Sequence, residues 1–125
     1  MITVKTAYLI KRQLDWAVAK CEGATNDWRS DGPFWWYHTP VIRVDGHDLQ
    51  YQPSTDWAQG GPIIEQENIA IRKWAATGWE ADKWNFKFAA VTNGPTPLIA
   101  AMRCYVESKL GKEIELPEEL VKVAK

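Results

Sequence analysis

The sequence predicts an α+β domain, a small antiparallel sheet packed against two main helices. Three observations predict it. Two segments, Lys11 to Glu22 and Pro97 to about Leu110, repeat apolar residues at helical spacing. Between them lie short stretches with β-branched residues or strict alternation, bounded by Gly, Pro, Asn or Asp. The length of 125 residues fits one domain over 1–125, so these helices and strands must share a core.

In the first helix, Leu14, Ala17, Val18 and Cys21 form one buried stripe, and Gly23 follows as a C′ residue. Trp16 lies off that line and either flanks the core or reaches the surface. Thr6 to Leu9 reads as a lead-in turn. Ala24 to Asp31 is polar and turn-prone. The aromatic run Phe34-Trp35-Trp36-Tyr37 fits neither period. It reads as a strand covered on both faces or as an aromatic wall beside a pocket.

Val41 to Val44 reads as a strand, Asp45-Gly46 as a hairpin turn and Asp48 to Gln52 as the return strand. Pro53 to Pro62 reads as a long loop with one helical turn capped by Ser54 or Thr55. Ile63 to Gln66 and Ile69 to Trp74 read as short strands. Trp84, Phe86 and Phe88 alternate with Asn85 and Lys87, the mark of a half-buried strand. In the last helix Thr96 is the N-cap, Pro97 the first residue and Gly111 the C′ residue. Pro117 to Leu120 begins a short terminal helix.

Fifteen basic and 16 acidic residues give a net charge of -1, without the Lys/Arg excess that duplex phosphates demand. No duplex nucleic acid is expected as a partner. Nothing approaches the roughly 18 apolar residues that span a bilayer. Met1 to Thr6 lacks the apolar region of a signal peptide, so the cytosol is the expected location. Cys21 and Cys104 read as small buried hydrophobes. The 8 Trp residues are unusually many, and Trp serves both cores and binding surfaces.

Catalytic signals are weak. His47 sits beside a turn and reads as solvated; His38 reads as a packed core edge. No nucleophile elbow, phosphate loop or zinc-protease motif occurs. The dispersed Cys and His residues make no metal site, and no cofactor is expected. Glu65 and Glu67 would share a face if extended, near Asp56. That pattern serves acid/base chemistry, though a solvated strand face is commoner.

Binding signals are stronger. In one loop Trp57 offers a stacking plate, Asp56 and Gln59 directional hydrogen bonds, and Gly60-Gly61 an approachable backbone. A second loop, Asn93 to Pro97, delivers the chain to a helix N-terminus, where unpaired N–H groups favour anions. Arg103 lies two turns inside and reads as an anion partner or as a mate for Glu107. Together Asp56, Trp57, Gln59, Gly60, Gly61, Thr96 and Arg103 suit a small polar ligand with a flat ring and an anion.

Three segments carry a family resemblance: Leu14 to Gly23, Ser54 to Glu65 and Gly94 to Arg103, with the closing Pro117-Glu118-Glu119-Leu120. They resemble the NinX-type family of small proteins from tailed bacteriophages and prophages, associated with the nin region of lambdoid phages. The stretches from about Ala24 to Gln52 and Arg72 to Asn93 are individual to this member, and Ile10 to Gln13 departs from the family pattern. The resemblance implies a phage accessory protein made in the host cytoplasm, and no reaction.

The reading that follows is a non-enzymatic protein that sequesters a small polar molecule, such as a nucleotide signal of host defence. The alternatives are a module that docks on a host protein through Trp35, Trp36 and Tyr37, and a nucleotide-processing enzyme using Asp56, Glu65 or His38. Self-association is left open, and no membrane partner is expected.

Overall fold

A computed structural model describes residues 2–22, 41–44, 47–76, 78–84 and 89–116. In chain order it forms strand β1 (Ile2–Lys5), a 3-10 turn (Thr6–Tyr8), helix α1 (Lys11–Cys21), strands β2 (Val41–Val44) and β3 (His47–Gln50), helix α2 (Trp57–Gln66), strands β4 (Ala70–Trp74), β5 (Gly78–Trp84) and β6 (Ala89–Gly94), helix α3 (Pro97–Leu110) and strand β7 (Glu113–Leu116). The architecture is α+β. All strand pairs are antiparallel: β4-β5-β6 in order, β2 with β3, and β1 with β7.

Helix α3 is the centre of the fold. Its residues Leu98, Ala100, Ala101, Met102, Cys104, Tyr105 and Val106 are all buried. A helix apolar on most of its circumference must be covered on several sides. Here the β4-β5-β6 sheet, α1, α2, β7 and the 3-10 turn all pack on it. Small residues allow the closest approaches. At Gly94, an added Cβ would lie 2.7 Å from the Ala100 nitrogen, so only glycine fits where β6 turns into α3. The Thr92 hydroxyl reaches across to the Ala100 carbonyl at 2.7 Å.

The helix ends follow their local chemistry. Thr96 Oγ1 accepts the Ile99 N–H at 3.1 Å, Pro97 occupies the first turn, and Gly111 takes a left-handed φ of 95°. α1 buries Leu14, Ala17 and Val18, and Trp16 joins them in the core. It also buries Asp15, whose Oδ1 accepts the Ser54 N–H at 2.9 Å and so ties α1 to the segment before α2. At the far end, Tyr105 Oη donates to Glu22 at 2.5 Å, joining α3 to the C-cap of α1.

Four expectations are corrected. The Pro53–Pro62 loop is shorter than expected, because a ten-residue helix begins at Trp57. Its cap is Asp56, which accepts the Ala58 N–H at 2.9 Å, and not Ser54 or Thr55. Ile63 to Gln66 is helix, not strand, so Glu65 and Glu67 do not share an extended face; Glu67 caps the helix C-terminus. Gly60, Gly61 and Pro62 together disfavour a helix by roughly 5 kcal/mol relative to alanine. Burial of Ile63 and close packing of Gly60 against Leu98 work in the opposite direction.

Strands β1, β5, β6 and β7 were not anticipated; of the expected strand through Trp84, Phe86 and Phe88 only Trp84, at the end of β5, is among the described residues. The hairpin turn at Asp45-Gly46, the aromatic run with Trp35, Trp36 and Tyr37, His38, Phe86, Phe88 and the terminal Pro117 helix lie outside the described residues.

Candidate functional site

The structure divides the residues that the sequence grouped. Asp56, Trp57, Gln59, Gly60 and Gly61 fall on the cap and first turns of α2. That turn adjoins the start of α3, since a Cβ at Gly60 would lie 2.7 Å from Leu98 Cδ2 and 2.4 Å from the Pro53 carbonyl. Gly60 is therefore a packing glycine. It is buried, and its N–H donates to the Asp56 carbonyl at 2.8 Å, so it offers no donor to a ligand. Gln59 Oε1 accepts the Gln52 N–H at 2.5 Å, and the Asp56 carboxylate is spent on its cap. Thr96 is likewise occupied as a cap. Trp57 remains at the surface, 56% exposed.

Arg103 faces elsewhere. It lines a cleft of about 560 Å³ with Ala7, Tyr8, Trp74, Gly78, Val91, Asn93 and Pro95, and no residue of α2 joins it. The volume lies within the roughly 300–1,000 Å³ of small-molecule sites. Each wall has a local cause. The 3-10 turn, held at its start by the Thr6 N–H to the Lys112 carbonyl at 2.8 Å, projects Tyr8 outward. Trp74 ends β4 opposite Gly78, and a Cβ at Gly78 would come within 3.3 Å of the indole. Glycine there lets the ring lie against the backbone. Tyr8 is 68% exposed and Trp74 49%, so both present ring surface at the recess.

Arg103 is fixed from two sides. Its Nε donates to the Leu9 carbonyl and its Nη1 to the Asn93 carbonyl, each at 2.8 Å. A guanidinium has five N–H donors, so most of its capacity is left over. No carboxylate pairs with it among the described residues, and Glu107 does not serve as its mate. Burial lowers its pKa from the ordinary arginine value, yet an arginine stays charged at neutral pH. A half-buried cation without an anion is costly, because desolvation is not offset by a counter-charge.

Several other charges are paired within the fold. Arg72 pairs with Glu80 and Asp82, Glu67 with Lys83 and Lys109, and Lys73 lies 4.6 Å from the Trp79 ring. Arg103 is the charged group lining the aromatic cleft among the described residues. Sequence reasoning found Arg103 and missed Tyr8, Trp74 and Val91. Trp74 carried a signal, an aromatic at the end of a strand next to a turn; Tyr8 carried none.

The fold and this cleft define a small α+β protein with an aromatic-walled, cationic recess of ligand size. The profile of the family described as "Bacteriophage P22, NinX" matches residues 5–109. The chain belongs to that family and is a NinX-type phage protein. No curated protein matches it. No helix among the described residues is long and apolar enough to cross a membrane.

Proposed function

We propose that the protein binds, without turning it over, a small molecule that joins a flat ring to an anionic group. Its seat is the cleft of Tyr8, Trp74 and Arg103. The observation that carries this reading is Arg103: half-buried, braced by two carbonyls, without a carboxylate partner among the described residues, at a recess walled by two exposed rings. Stacking on such rings contributes roughly 1–3 kcal/mol per base, and a charge-assisted hydrogen bond a similar amount. A nucleotide has both groups. In a phage protein acting in the host cytoplasm, a nucleotide signal of host defence fits that chemistry, with sequestration as the effect.

A binding role is favoured over catalysis because, among the described residues, Tyr8 is the one proton-transfer side chain in the cleft lining, with no His, Cys, Asp, Glu or Lys beside it. The reading keeps Arg103 from the sequence-based set and moves the stacking role from Trp57 to Trp74 and Tyr8. Calorimetric titration with mono-, di- and cyclic nucleotides tests it. Binding at micromolar strength is expected, weakened about tenfold by Trp74→Ala and unchanged by Trp57→Ala. Absence of binding tighter than millimolar across that panel removes the reading.

A further inference from the structure

We infer that the cleft is built for one anionic group only, so that its ligand is a mononucleotide rather than a nucleoside di- or triphosphate. This rests on the proposed function and goes further, because it fixes the class of nucleotide. Sites for polyphosphates surround the chain with several cations, a metal or a run of backbone N–H groups. No second Lys or Arg and no metal-ligating cluster lines this recess among the described residues. Arg103 is the sole cation there among the described residues, and its neighbours in the lining include Thr92, Asn93, Gly94 and Pro95 beside aromatic and apolar side chains.

The guanidinium itself is arranged for a single partner. Nε and one Nη1 hydrogen are held by the Leu9 and Asn93 carbonyls. Nη2 and the second Nη1 hydrogen have no partner among the described residues. Adjacent donors of one planar fork match two oxygens of one phosphate. A second phosphate in the recess would find no further positive side chain among the described residues.

The full-length chain is titrated calorimetrically with adenosine, AMP, 3′,5′-cyclic AMP, ADP and ATP, and with the guanine series, at fixed ionic strength. AMP or cyclic AMP, or the guanine counterpart, is expected to bind about tenfold or more tighter than the nucleoside. ADP and ATP are expected to bind no tighter than the monophosphate. Arg103→Gln removes the charge and keeps a donor near the Nε position for the Leu9 carbonyl. It is expected to abolish the roughly tenfold preference for the monophosphate over the nucleoside. Affinity that climbs about tenfold from mono- to triphosphate overturns the inference while leaving the binding reading intact. Equal loss of nucleoside and nucleotide binding in Arg103→Gln also overturns it, since the arginine would then be a brace alone. If no nucleotide binds, the reading and the inference fall together.

Discussion

Asp15→Asn should make the protein more stable at neutral pH, and the gain should vanish in mild acid. Asp15 is only 5% exposed on α1, and burial pushes its carboxyl from 3.8 up to about 6. The Ser54 N–H opposes that rise with one hydrogen bond of 2.9 Å. The Ser54 hydroxyl faces the same carboxylate without a well-formed hydrogen bond among the described residues, so its help is weak. At 1.36 kcal/mol per pH unit the rise is worth about 3 kcal/mol. The sign follows from linkage. With the folded value raised, the folded chain holds a proton that the unfolded chain has lost between about pH 4 and pH 6. The contribution of Asp15 to stability is therefore full below about pH 4 and is lost as pH rises through about 6.

Asparagine removes the titration and keeps an oxygen for the Ser54 N–H. Its amide N–H can donate to the buried Ser54 hydroxyl, which has no partner among the described residues. Urea unfolding of both proteins from pH 4 to pH 8 measures the difference. The variant should match the parent near pH 4 and exceed it by about 1–3 kcal/mol at pH 7, with the change centred between. A difference that stays constant across that range would refute the reasoning, because an uncharged effect such as altered packing has no such pH dependence.

Two further predictions concern packing and reactivity. Gly60→Ala drives a methyl into the Pro53 carbonyl and Leu98 and should cost about 1–3 kcal/mol in urea unfolding, whereas Gly61→Ala meets nothing within 4 Å and should stabilise α2 by up to about 1 kcal/mol. Burial pushes the Cys21 and Cys104 thiols up to about 12, so at pH 8 a thiol reagent should modify the native chain far more slowly than the urea-unfolded one; equal rates would show that the thiols are accessible.

The helices α1 and α3 were legible because their signals are local. The Leu14–Val18 stripe, the Thr96-Pro97 start and the Gly111 stop each act within a few residues, and the structure reproduces them. The strand at Val41–Val44 and most of Ile69–Trp74 were legible for the same reason. Strands β1 and β7 were not. Each has only four residues, and Ile2 pairs with Leu116 at the opposite end of the chain, so neither is a strand without the other. Helix α2 was hidden because Gly60-Gly61-Pro62 reads as a breaker. What the residues near it cannot show is that Leu98, far along the chain, requires a glycine at its side.

The sequence by itself determined the fold class, the two long helices, the Thr96 and Gly111 ends of α3, the family, and Arg103 as a cation two turns inside α3. Only the tertiary structure decided what Arg103 faces. It took the residue away from Trp57 and placed it with Tyr8 and Trp74, positions 95 and 29 residues distant in the chain. The physical reason is that a cleft is a relation between backbones. The turn after β1, the end of β4 and the end of β6 come to one side of α3 because the buried faces of β5, β6 and α3 pack together. No single segment encodes that packing; it is the joint minimum of their apolar surfaces.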